Sequence, residues 1–183
     1  MKEWKEFDNN EITHSMAHYL MAIHELHRRQ GYARVTDVAR ELEITPGSAS
    51  VSIKTLKSRG WVEEDHNRFL KLSTDGEKLA HEITVNNRLM VQFLTEVLGM
   101  DVGQASIDAC KVEHLVSSDT RRKLLQFMHF IHEEHKPVKA FLRAWKDHQF
   151  HCPGPSECEV CEDGETCAIG EDAPAGSKPA ANR

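Results

Sequence analysis

No stretch of this chain approaches the roughly 20 consecutive apolar residues that cross a bilayer, and its mean hydropathy is −0.54. The opening MKEWKEFDNN is polar and charged, without the basic-then-apolar pattern of a secretory leader. A cytoplasmic location with no membrane partner is the expectation. A nucleophile elbow, a phosphate-cradling glycine loop and a paired acid/base framework are also missing, so catalysis finds no support. Nor is there an excess of positive charge, for the formal net charge at pH 7 is −6. Residues 151–183 account for −5 of it, which leaves residues 1–150 near balance at −1. The acidity therefore says little against nucleic-acid binding by the body of the chain. Cysteine is scarce there too: of five in all, Cys110 stands alone and Cys152, Cys158, Cys161 and Cys167 crowd near the end.

What is present is helical periodicity. The 183 residues suffice for one or two small domains. Residues 11–29 repeat apolar side chains at Ile12, Met16, Leu20 and Ile23, and Gly31-Tyr32 ends that helix. In RVTDVARELEITPGSASVSIKTLKSRGWV, residues 34–62, Thr36 is positioned to cap a short helix with Val38, Ala39 and Leu42 inward. Thr45 caps a second helix with Pro46 at its first position, Ala49, Ile53 and Leu56 as its buried stripe, and Gly60 as its stop. Two short helices joined by a brief turn make a helix-turn-helix. WVEED and RFLKLS then flank His66-Asn67 as a β-hairpin wing. Thr74 and Glu77 form a capping box for a long apolar-striped helix ending at Gly99. Helices over about 102–117 and 119–134 follow, and one more lies beyond Pro137.

The fold class is thus mainly α. A winged helix-turn-helix domain (1–74) precedes an all-α dimerisation and metal-binding domain (75–150) and a cysteine-rich acidic tail (151–183). The exposed side of the second helix offers Thr45, Ser48, Ser50, Val51, Ser52 and Lys54, with Lys57 and Arg59 toward its end. Hydroxyls suit base edges or phosphates, cations hold the backbone, and such a helix enters the major groove of double-stranded DNA. The competing use is a winged helix for protein contacts. No Arg, Gln or Asn lies between Pro46 and Thr55. Recognition then leans on small contacts, methyl packing by Val51, DNA shape and dimer spacing.

DACKVEHLVS, residues 108–117, raises a different chemistry. Cys110, Glu113 and His114 fall within about 100° of one another on a helix, with Val112, Leu115 and Val116 on the other side. Thiolate, carboxylate and imidazole can converge on a divalent metal, and sulfur favours iron, zinc or cobalt over calcium or magnesium. Three ligands do not close a site, and a polar helix face with one small cysteine explains the triplet equally well. His14, His18 and Met21 share a side of the first helix, away from the Met16/Leu20/Ile23 stripe, and each also reads as a surface or packing residue.

Taken in order, HSMAHYLMAIHEL, the helix-turn-helix segment, LKLSTDGEKLA, VQFLTEVLGMD and DACKVEHLVSSDTRRKL resemble the diphtheria-toxin-repressor/manganese-transport-regulator family over about residues 12–134. The resemblance implies a homodimeric metal-activated repressor that binds a palindromic operator with Fe²⁺ or Mn²⁺ bound, its later helices supplying dimerisation and ligands. The family's C/E-x-x-E-H motif falls on Cys110, Glu113 and His114. The ligand from the first helix falls on His18, where the iron type has Met and the manganese type Asp. Met21 takes the place of a second carboxylate of the manganese type. The family's histidine in the long helix falls on Asn87, and another falls on Ser106, departures that leave one site of His18, Cys110, Glu113 and His114. Nitrogen, sulfur and one carboxylate point to Fe²⁺ over Mn²⁺, with Zn²⁺ or Co²⁺ able to substitute.

The tail spacing C-x(5)-C-x(2)-C-x(5)-C fits a zinc site or an iron–sulfur cluster, and fits a weakly scavenging tail equally well. The reading is a metal-dependent, most simply iron-dependent, repressor of metal-homeostasis genes. The alternatives are a Mn²⁺ regulator of the same family and a redox or cluster sensor working through the tail cysteines.

Overall fold

The computed structural model describes residues 12–133 and 136–148. Tail residues Cys152, Cys158, Cys161 and Cys167 lie outside these. Helix α1 (His14–Gln30) begins where the Thr13 hydroxyl accepts the Met16 N–H and ends at Gly31, whose φ of 82° is left-handed. It buries Ala17, Leu20, Ile23 and Leu26, the period-3.6 stripe that drives an amphipathic helix onto a core.

Helix α2 (Val35–Glu41) starts two residues earlier than a Thr36 cap allows, with Arg34 at the cap position. The Asp37 carboxylate reaches back to accept the Arg34 N–H at 3.1 Å. A carboxylate satisfies that donor and meets the positive end of the helix, which a hydroxyl at Thr36 cannot do. Helix α3 (Pro46–Ser58) has the expected Thr45 cap and buries Ala49, Ile53 and Leu56.

Strands β1 (Val62–Glu64) and β2 (Leu70–Leu72) pair antiparallel, with Val62 opposite Leu72. The tip is wider than His66-Asn67: the Asp65 carboxylate accepts the N–H groups of Asn67 and Phe69 at 2.8 and 2.9 Å. Leu70 also bridges to Ala33. Its carbonyl accepts a hydrogen bond from His27 Nε2 on α1 at 2.6 Å. A carbonyl only accepts, so that nitrogen carries the proton.

Helix α4 (Thr74–Gln92) is capped by Ser73, not Thr74. The choice follows from packing: a Cβ on Gly76 would lie 2.0 Å from the Trp61 carbonyl oxygen. The glycine must therefore sit against the hairpin, in the first turn behind Ser73. The helix continues into a π-helical turn at Phe93–Val97 and stops at Gly99. Helices α1, α5 (Val102–Val112) and α6 (Ser118–His132) all contact α4. Helix α5 ends five residues short of the expected 117, and Glu113 is its C-cap. Leu115, expected on the core face, is 38% exposed, whereas Glu113 is 1% exposed. Helix α7 (Lys136–Asp147) belongs to a second compact unit and has Pro137 in its first turn.

Candidate metal centre

His14 and His18 lie one turn apart at the start of α1, and Cys110 lies in the last turn of α5. Ala105 and Ala109 on α5 are fully buried, and their small side chains let the helix pack closely against its neighbours. The result joins residues 92 positions apart in sequence: Cys110 Sγ is 3.1 Å from His18 Nε2. It is 3.9 Å from His14 Nε2, and the two Nε2 atoms are 3.1 Å apart. Around one tetrahedral ion, imidazole nitrogens and a thiolate would be separated by roughly 3.3 to 3.6 Å. The three atoms are thus spaced to share one cation.

His114 stands beside them, its ring centroid 5.1 Å from that of His14. Glu113 turns inward from the end of α5. Its Oε2 accepts a hydrogen bond from Asn87 Nδ2 at 2.6 Å, and its backbone carbonyl accepts one from Asn86 Nδ2 at 2.7 Å. Oε1 is buried with no hydrogen-bond partner among the described residues. A buried carboxylate oxygen left unpartnered is costly, and a cation would remove that cost. The donor set therefore fits a divalent metal.

Electrostatics agree. Burial, then the nearby His14 charge, holds His18 below the usual imidazole range. His114 is lowered by burial and then by His14 and His18. Burial, reinforced by Glu113, raises the Cys110 thiol. Burial also raises Glu113 against the opposing Asn87 hydrogen bond. Without a cation, burial thus moves each group toward its neutral form, which favours imidazoles ready to coordinate and a thiol that holds its proton.

Acid is accordingly expected to weaken metal binding. Near neutrality the Cys110 proton is the one to displace, so the logarithm of affinity should rise by about one per pH unit. His18 and His114 stay neutral there and steepen the slope only at lower pH. A flat Co²⁺ affinity profile between about pH 6 and 8 would contradict this.

Of the residues expected at the site, His18 and Cys110 come together, in a cluster completed by His14. The His114 ring adjoins His14, while the Glu113 carboxylate lies outside that cluster, held by Asn87. Met21 packs against the hydrophobic core and lines, with His18, Thr84 and Arg88, a neighbouring 330 Å³ cavity. His14 joins the cluster. Its place on the His18 side of α1 was visible in the sequence, but its approach to Cys110 was not. Ser106 instead donates to the Val102 carbonyl within α5.

On α3, Val51 is 69% exposed, and Ser48, Ser50 and Lys54 are exposed as well, with Ser52 half-buried. The Thr45 hydroxyl is engaged by the Ser48 hydroxyl at 2.9 Å. Lys57 is paired with Glu64 of the wing at 2.5 Å, while the Arg59 guanidinium lies over the Trp61 ring. Arg68, at the wing tip, is an exposed cation that the helix pattern did not single out.

Comparison with known proteins matches residues 11–70 to the iron dependent repressor N-terminal DNA binding domain and residues 73–137 to its metal binding and dimerisation domain. The chain belongs to the diphtheria-toxin-repressor/manganese-transport-regulator family. Among its relatives, the HTH-type transcriptional regulator MntR of Lysinibacillus sphaericus is 29% identical over 127 residues, 69% of this chain and 91% of that protein. The diphtheria toxin repressor of Corynebacterium glutamicum is 26% identical over 114 residues, 62% of this chain, which spans only 50% of that repressor's length. A solved manganese-dependent transcriptional repressor in complex with manganese superposes with a TM-score of 0.55 at 25% identity, covering 63% of this chain and 53% of that one. The family consists of DNA-binding transcriptional regulators, not enzymes. No helix among the described residues is long and apolar enough to cross a membrane.

Proposed function

We propose that this protein is an Fe²⁺-dependent, homodimeric repressor of metal-homeostasis genes, with residues 1–74 reading operator DNA and residues 75–150 sensing metal and dimerising. The observation that carries the choice of metal is the cluster of His14, His18 and Cys110, whose ligand atoms all lie within 4.8 Å of one another. Two imidazoles and a thiolate, with His114 and Glu113 adjacent, are softer than the oxygen-rich set that suits Mn²⁺. Zn²⁺ and Co²⁺ would compete for the same donors. A bound cation would supply the charge that favours the Cys110 thiolate beside the Glu113 carboxylate. His14 and His18 would then tie α1 to the end of α5, fixing α1 relative to the helices around α4 and favouring one presentation of α3 to DNA. Exposed apolar side chains at Leu98, Val102, Ile107 and Phe127 supply surface for the second subunit.

The test uses anaerobically purified protein and duplexes selected from a random pool by the Fe²⁺-loaded form. Binding is then measured with Fe²⁺, Mn²⁺ or chelator. Retention only with Fe²⁺ is expected, equal retention with Mn²⁺ would make it a manganese-responsive regulator, and metal-independent retention would overturn the reading.

On the DNA side, Lys54 makes no ion pair among the described residues, whereas Lys57 is already neutralised by Glu64. Lys54→Ala is expected to weaken binding across sequences and reduce the salt slope by about one. Lys57→Ala should change the slope less, and an equal loss from both would refute the distinction.

A further inference from the structure

Two consecutive asparagines of α4 grip the residue that follows α5. Asn86 holds the Glu113 backbone carbonyl at 2.7 Å, and Asn87 holds Oε2 of its side chain at 2.6 Å. Glu113 is 1% exposed, so water does not compete for that oxygen. Its other oxygen, Oε1, is buried and has no hydrogen-bond partner among the described residues. The carboxylate is therefore divided: one oxygen is fastened to α4, and the other has no hydrogen-bond partner among the described residues.

We propose that Asn87 is a specificity-determining residue, which keeps Glu113 a one-oxygen ligand and so holds the metal centre to a low coordination number. This rests on the reading of Glu113 as a ligand. A carboxylate can bind an ion through one oxygen or both. Added to the His14, His18 and Cys110 cluster, a single Glu113 oxygen would leave a set dominated by nitrogen and sulfur. Admitting the second oxygen would add an oxygen donor and a coordination position, the change that suits Mn²⁺. The Asn87 amide opposes that change, because freeing Oε2 breaks a short, half-buried hydrogen bond to the carboxylate. At the sequence level Asn87 looked like the loss of a histidine ligand. In the fold it is a restraint on another ligand.

The test uses full-length protein with Co²⁺ as probe, since its visible ligand-field bands weaken as coordination number rises and its near-ultraviolet thiolate band reports Cys110. Asn87→Leu keeps the size of the side chain and removes the donor. It is expected to keep the thiolate band, weaken the visible bands and shift the Mn²⁺/Co²⁺ affinity ratio toward Mn²⁺ by about tenfold, the scale of a lost outer hydrogen bond. Should circular dichroism show that this variant does not fold, Asn87→Ala carries the same expectation. An unchanged spectrum and ratio in a folded variant would overturn the role of Asn87 while leaving the metal site standing. Co²⁺ affinity unaffected by Glu113→Gln would overturn the reading of Glu113 as a ligand and the role of Asn87 with it.

Discussion

Replacing Cys110 with alanine is expected to lower Fe²⁺ and Co²⁺ affinity by more than about a hundredfold, since losing even an outer partner of a ligand costs tenfold to a hundredfold. Sγ is the one soft donor in the cluster, and it lies 3.1 Å from His18 Nε2 and 3.9 Å from His14 Nε2. Removing it would delete the proposed ligand that joins α5 to both histidines of α1. The substitution takes away one half-buried atom, so the metal-free fold should lose less than about 1 kcal/mol. The informative result is this split: melting of the metal-free protein nearly unchanged, metal-dependent DNA retention gone. His18→Ala should behave alike. Met21→Ala should leave metal affinity within about threefold, because the thioether packs against the core. Wild-type affinity in Cys110→Ala, measured by competition with a chelating dye, would refute the assignment.

Gly76→Ala is the second large effect, and it falls on the fold. The added Cβ would meet the Trp61 carbonyl oxygen at 2.0 Å and its carbonyl carbon at 3.0 Å. Both are backbone atoms, so no rotamer change relieves the contact. The same carbonyl accepts the Ser73 N–H at 3.0 Å, so separating the hairpin from α4 also strains the cap. The cost is expected at about 3 kcal/mol, the upper end for overpacking. In a chain of this size that corresponds to a fall in Tm of roughly 6 to 12 °C. Gly47→Ala is the matched control, because its Cβ would meet nothing closer than Thr45 Oγ1 at 3.9 Å. It should be neutral or stabilising by up to about 1 kcal/mol. Similar melting of the two variants would show that Gly76 is not confined as described.

These two sites also mark where the sequence was readable. The helix-turn-helix follows from local signals, since Thr45, Pro46 and the Ala49/Ile53/Leu56 spacing need no distant partner to be recognised. Ser73 and Thr74 are both able caps. The decision between them lay with Trp61, whose backbone admits only a glycine at position 76. The wheel drawn through DACKVEHLVS assumed that α5 continued to residue 117, which put Glu113 on an outer face and Leu115 in the core. Asn86 and Asn87 reverse that by drawing Glu113 inward, an attraction between residues 26 or more positions apart. The C/E-x-x-E-H resemblance pointed to the ligand types without their geometry. His14 needed the fold, for its partner Cys110 is 96 residues away.

Helix α1 carries His14 and His18 near one end and, at the other, His27 holding the Leu70 carbonyl of β2. From His18 to His27 the axial distance is about 13 Å, and HSMAHYLMAIHELHRRQ contains neither glycine nor proline to bend it. Sensor and wing are therefore mounted on one crankshaft. A twist imposed on α1 by closing the His14, His18 and Cys110 cluster would reach the hairpin along a helix with no glycine or proline between them.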